Sequence, residues 1–294
     1  MASHNVGSTA IGAMAFKAME SFLPQKQRLF EDSLSVQFLP PGLRFVVRRR
    51  LLRAALQSVL DRQLPGTYGS MVCRTRYLDD VVTASLSTGI RNIVIVGAGL
   101  DTRPYRLKFD AAARVFELDL PAMIEAKKER VTQTLGGLPG HVTYIAMDFD
   151  SEDLSEALMR GGLDQQARLI LILEGVTQYI RKQAVESILQ YVARAPRGSE
   201  VVFTYVLKEV IDGTSKAFGA DGGARAGRRF NWVFGFDRAQ LPGDLHRLGL
   251  DLVEDVGATD YQARYLAPLQ RRLKVTEIER IARARVPETP HGSV

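Results

Sequence analysis

The stretch RNIVIVGAGLDTRPYRL, Arg91 to Leu107, constrains this chain more than any other. A β-branched run, 92–96, leads straight into Gly97-Ala98-Gly99. Strands that are apolar at every position, rather than at every second one, belong to sheets covered on both faces. Glycines directly after such a strand let the backbone turn tightly and approach a ligand closely. Further strands are expected at 113–119, 142–148, 167–176 and 199–207, with helices at 121–135 and 181–195 among them. This alternation predicts an α/β fold with a mostly parallel, doubly wound sheet. DLVEDVG and ARYLA are read as two last strands, making seven, and the tail RRLKVTEIERIARAR as a terminal helix.

Residues 1–88 read as a helical N-terminal cap, in which LRFVVRRRLLRAALQSVLDRQL shows helical spacing and stops at Pro65-Gly66. Residues 89–294 then form the core. Within it, 208–235 is rich in glycine and charge and lacks a period, as expected of a lid insertion. The single cysteine, Cys73, rules out an intramolecular disulfide and suits a reducing, cytoplasmic setting. Four scattered histidines leave no His/Cys metal cluster, so no metal is expected. The longest apolar runs fall well short of the roughly 20 residues of a membrane span. The N-terminus has no basic start before an apolar block, so no secretory leader is expected. The net charge of +6 is concentrated in Arg44 to Leu56 and Arg271 to Arg285. Without zinc-finger spacing or an RNP-like run, these arginines are read as solvated helix faces. Neither a nucleic-acid nor a membrane partner is expected, and a homodimer is left open.

In an open parallel sheet a ligand sits at the carboxyl ends of the strands. Four such ends carry unusual residues: Gly97-Ala98-Gly99, Glu117-Leu118-Asp119, Asp148-Phe149 and Glu174-Gly175. The third position of a G-x-G-x-x-G fingerprint is Thr102, which argues against NAD and FAD. Asp119 stands where a ribose-binding carboxylate belongs, although an Asp before Pro121 also suits a helix cap. Asp148 could accept from an adenine amine, with Phe149 over the ring. Glu174 ends a buried strand, where a carboxylate is costly unless it is paired. It would face a cationic ligand group or form a structural ion pair. Read this way, the residues leave open an adenosyl-cofactor enzyme, an NAD-type oxidoreductase, and a basic nucleic-acid-binding module with a vestigial pocket.

VGAGLDTRPYRL, FELDLP, MDFD and LEGVTQYI, in this order, resemble the S-adenosylmethionine-dependent leucine carboxyl methyltransferase family. The likeness is closest to its bacterial and actinomycete-type branch of small-molecule O-methyltransferases. It is clear over residues 70–206 and looser beyond. The resemblance implies a Rossmann-like class I methyltransferase fold and S-adenosyl-L-methionine as cofactor. It implies that Arg74, in CRTRYLDD, holds the methionine carboxylate, which the planar guanidinium fork suits. It further implies that Gly97 contacts the methionine part, Asp119 the ribose, Asp148 and Phe149 the adenine, and Glu174 the methionine amino end. Ala98, Gly99, Leu118 and Gly175 complete the expected cofactor contacts, and Asp101, Thr102 and Arg106 are expected to frame the turn. The acceptor implied is a carboxylate or acidic hydroxyl of a small molecule, as in secondary metabolism. A carboxylate needs no general base, whereas an alcohol does. Arg228 and Arg229 in the lid are candidates for steering that acceptor, and Tyr179 and Tyr205 for lining its pocket as catalytic hydroxyls.

Overall fold

The computed structural model describes residues 2–149, 151–215 and 231–288, with side chains from Ala10 onward. The strands are β1 (Asn92–Val96), β2 (Arg114–Asp119), β3 (Val142–Ala146), β4 (Leu169–Leu173), β5 (Glu200–Val206), β6 (Asp251–Val256) and β7 (Glu279–Arg285). They form one sheet in the order β3-β2-β1-β4-β5-β7-β6. β1 to β5 run parallel, and β7 lies antiparallel between β5 and β6. β1, β4 and β5 are buried at every position, which is why their sequences carry no alternation.

Five helices precede the sheet: α1 (Ala2–Ser21), α2 (Ser33–Phe38), α3 (Pro41–Arg48), α4 (Arg50–Gln63) and α5 (Thr67–Ser87). Their apolar residues join Ile93, Ile95, Val115, Ile170 and Ile172 of the sheet in one core. The N-terminal segment is therefore packed on the sheet and is not a detached unit. Among the helices that follow are α6 (Arg103–Arg106), α7 (Pro121–Leu135), α8 (Leu154–Arg160), α9 (Lys182–Ala193), α10 (Lys208–Ile211) and α11 (Leu241–Arg247). α7 starts with Pro121 and stops at Gly136, whose φ is +80°. A fixed proline φ suits a first turn, and a left-handed glycine suits a helix end. α8, α9 and α11 cover the second face, where Leu158, Leu189 and Leu245 meet Val94, Val96, Leu171 and Phe203.

Three expectations are corrected. ARYLA is no strand: residues Gln262–Leu266 form a wide helical turn after a short helix, Ala258–Tyr261, and Leu266 is buried. The tail is not a helix. Its residues 279–285 are β7, although Ala, Arg and Glu favour helices. Tertiary pairing overrides that preference. Ala282 and Ala284 fill one face and Ile281 the other. Arg283 and Arg285 both reach Glu200 of β5, each through Nη2 at 2.8 Å, and Arg280 Nε reaches Asp255 of β6 at 2.9 Å. The sheet has seven strands as expected, with a different seventh member. Finally, LRFVVRRRLLRAALQSVLDRQL is two helices, broken at Arg49, whose φ of −92° and ψ of 116° are extended.

Candidate active site

The strand order reverses between β1 and β4, the place where an open α/β sheet forms a crevice. The chain leaves β1 through Gly97, with φ +66°. A Cβ there would stand 2.4 Å from Cγ2 of Val176. Gly97 is thus required twice, by its dihedral and by the loop after β4. Ala98 N–H donates to the Leu118 carbonyl at 3.0 Å. The Gly99 N–H donates to Asp119 Oδ2 at 2.6 Å, and Leu120 N–H to Asp119 Oδ1 at 2.7 Å. Burial raises the Asp119 carboxyl above the usual aspartate range, against the pull of those two N–H groups and of Lys127.

The turn is also fixed from beneath. Lys127 of α7 donates to the Ala98 carbonyl at 3.2 Å and pairs with Glu117, which accepts a second bond from Tyr105 Oη at 2.6 Å. Glu117 is fully buried in this network. Thr102, which stands where a dinucleotide fold has its third glycine, donates to Asp32 at 2.6 Å. Asp32 also caps α2 through Ser35 N–H. Thr102 therefore ties the turn to the N-terminal helices.

At the end of β4, Glu174 lies in a ring of cations. Oε1 accepts from Arg74 Nε at 2.9 Å, Oε2 from Arg103 Nη1 at 2.5 Å, and Lys17 Nζ stands 3.8 Å away. Burial alone would raise its pKa, but Arg103, Lys17 and Arg74 outweigh burial and hold it well below the usual carboxylate range. Arg74 also donates to Glu279 of β7 at 2.6 Å through Nη1. Arg103 extends the network to Asp101 at 2.7 Å and Asp79 at 2.9 Å, and Arg106 binds Asp79 at 2.7 Å. Each buried charge is thus paired, as burial requires.

These elements enclose a cavity of about 420 Å³, within the size range of cofactor pockets. It is walled by Arg74, by Gly97, Ala98 and Gly99, by Asp119, by Asp148 and Phe149, and by Glu174, Gly175 and Tyr179. Two candidates do not reach it. Leu118 contributes its backbone carbonyl to the turn while its side chain is buried in the core under the sheet. Tyr205 is likewise core: it packs on Phe203 and Phe236, and its hydroxyl donates to Asp255 at 2.8 Å. Strand alternation explains this, since its neighbour Thr204 is the residue that bonds the Gly175 N–H and the Thr177 hydroxyl. Arg228 and Arg229 lie outside the described residues.

Sequence reading missed four members of the site: Lys17, Arg103, Asp79 and Glu279. Lys17 had a signal. Ala10, Ala13, Met14 and Lys17 recur at i, i+3, i+4 and i+7, and this face of α1 is one wall of the cavity. One lysine in an apolar stripe is conspicuous. Glu279 gave no signal, because its partner is 205 residues away in the chain.

A family model described as leucine carboxyl methyltransferase matches residues 10–193, more than half of the chain. The chain belongs to the leucine carboxyl methyltransferase family. Its relatives include proteins described as "Putative S-adenosyl-L-methionine-dependent methyltransferase". One, from Streptomyces avermitilis, is 30% identical over 74% of this chain and 73% of its own length. Another, from Frankia alni, is 29% identical over 70% and 71%. A solved structure described as a "putative methyltransferase" from Thermobifida fusca shares the fold at 16% identity and a TM-score of 0.55, covering 80% of this chain and 88% of that one. The leucine carboxyl methyltransferase match ends with α9, so β5 to β7 lie beyond it. The protein is an S-adenosyl-L-methionine-dependent methyltransferase, and the NAD-type oxidoreductase reading gives way. No helix among the described residues is long and apolar enough to cross a membrane.

Proposed function

We propose that the protein methylates an oxygen, a carboxylate or an acidic hydroxyl, of a small acceptor. The observation that carries this reading is the cavity at the β1/β4 switch, whose described lining holds no histidine to take a proton from an acceptor, and whose charged groups, Lys17 and Arg74 with Asp101, Asp119, Asp148 and Glu174, sit on the cofactor side. The cofactor fits the residues present. Gly99 and Gly175 have positive φ, and a Cβ on either would find no atom closer than 3.9 Å, so both leave room on the cavity side. Asp119, at the tip of β2, would accept from ribose hydroxyls. Asp148 and Phe149 would receive the adenine, Arg74 and Lys17 the methionine carboxylate, and Glu174 its ammonium.

When bound, S-adenosyl-L-methionine supplies a methyl group already activated on a sulfonium. The chain's own residues then have three tasks: to hold the acceptor oxygen in line, to exclude water, and to leave the acceptor anionic. Met14, Leu100, Leu120, Val176 and Ile180 form the apolar wall that does the second. Among the described residues lining the cavity, Tyr179 is the one with a hydroxyl, and none is histidine. That supports an acceptor that is anionic without help from a base. The test is methyl transfer from radiolabelled cofactor to a panel of carboxylic acids, phenols and alcohols. The expected product is a methyl ester, which releases methanol in mild alkali, or the base-stable methyl ether of a phenol. Label held in a base-stable ether of an aliphatic alcohol overturns the reading.

A further inference from the structure

The site leaves α3 and α4 unused. α4 has no buried residue along its whole length. It leans on the body through Arg53, Leu56 and Leu60, which are half-buried. The adjoining face, turned to solvent, carries Leu51, Leu52, Ala55 and Val59, one side of a 3.6-residue helix. Leu51 is 83% exposed, Leu52 41% and Val59 46%, and Phe45 on α3 is 55% exposed. An ordinary surface helix turns its apolar stripe inward; α4 leaves the larger part of its stripe outward.

The same segment is cationic. Residues 41–63 hold six arginines, at 44, 48, 49, 50, 53 and 62, against one acid, Asp61. Arg48, Arg49, Arg50 and Arg62 are exposed, and no carboxylate among the described residues forms an ion pair with them. Arg49 lies 5.3 Å over the Phe45 ring. Exposed aliphatic side chains flanked by unpaired arginines are the chemistry of a helix that lies in a lipid interface.

We propose that α4, with Phe45 of α3, seats the protein on an anionic phospholipid surface. Leu51, Leu52 and Val59 enter the boundary between headgroups and acyl chains, and the arginines meet lipid phosphates. A second copy of the chain fits poorly, because a two-fold contact sets these arginines against themselves. A nucleic acid would satisfy the arginines but leave the leucines against phosphate. The proposal departs from the expectation of a merely solvated face and of no membrane partner, which accounted for the arginines and not for the outward leucines. It is independent of the acceptor's identity.

The test is cosedimentation of the full chain with vesicles of equal phosphatidylglycerol and phosphatidylcholine, and with vesicles of phosphatidylcholine alone. Binding to the anionic vesicles should be at least about tenfold stronger and should weaken with salt. Leu51→Glu with Leu52→Glu, and separately Arg48→Gln with Arg49→Gln and Arg50→Gln, should each lower it by about tenfold or more. Both variants should bind S-adenosylhomocysteine as the wild type does, which shows that they are folded. Equal recovery with both vesicles overturns the proposal. So does a lipid-free dimer dissolved by the leucine variant, or RNA retention that the leucine variant leaves intact. Should a variant not fold, the wild type's lipid preference and its salt dependence decide alone.

Discussion

Glu174 and Asp119 are two carboxylates at the tips of β4 and β2, on either side of β1, with opposite electrostatic fates. Glu174 is held well below its usual range by three cations, despite burial. A lowered folded pKa adds stability above the unfolded value of about 4.3, lost as pH falls through the folded value. Replacing Glu174 by Gln leaves buried cations short of a partner and should cost about 3–5 kcal/mol at neutral pH. In urea titrations the gap to wild type should stay constant between about pH 6 and 8 and narrow below about pH 4. A gap unchanged at low pH refutes the assignment. Asp119 goes the other way, raised by burial. It therefore protonates, and becomes a weaker acceptor for a ribose hydroxyl, at a pH above the ordinary aspartate value of about 3.9. Calorimetry with S-adenosylhomocysteine should show affinity falling on acidification from above that value. Asp119→Asn should bind about ten- to a hundredfold more weakly at neutral pH, with that acid step removed.

At the scale of elements, the turn after β1 is the most constrained piece of backbone in the site. Gly97→Ala meets both a positive φ and a Val176 methyl at 2.4 Å. It should destabilise the protein by about 2 kcal/mol and weaken cofactor binding more than tenfold. Adding Val176→Ala should restore part of the stability, since the dihedral strain persists. Full recovery would mean that the dihedral contributes nothing. Such turns, and the strands that feed them, are legible in sequence because their information is local. The runs at 92–96, 121–135 and 169–173 announce themselves by composition and punctuation. The ion network does not: Arg74 meets Glu174 and Glu279, and Arg103 meets Asp79, by chain reversals that no spacing encodes. Tyr205 was misplaced for a related reason. A strand tip can be found from its sequence, but which face a given residue takes depends on register with its neighbours. β7 was misread because its alanines and arginines answer to Glu200 and Asp255, not to helix propensity.

For the molecule as a whole, one apolar core runs through the N-terminal helices and one face of the sheet. Met14, Phe16 and Met19 of α1 and Val72 and Leu78 of α5 share it with Ile93 and Ile172. Helices and sheet should therefore unfold together. Circular dichroism and the fluorescence of the single Trp232 should report coincident urea transitions, and a chain beginning at Ile90 should not fold. Two separate transitions would show that the helices form an independent unit.

The position of β7 has a further meaning for how the molecule comes into being. It is the last described strand to leave the ribosome, yet it occupies an interior slot. Until residues 279–285 have emerged, β5 lacks one neighbour, β6 has nothing to pair with, and Glu174 and Arg74 wait for Glu279. During synthesis, at roughly 5–20 residues per second, the nascent chain thus carries two open strand edges beside an unfinished pocket. A premature stop shortly before Glu279 should deliver an aggregating product, not a weakened enzyme.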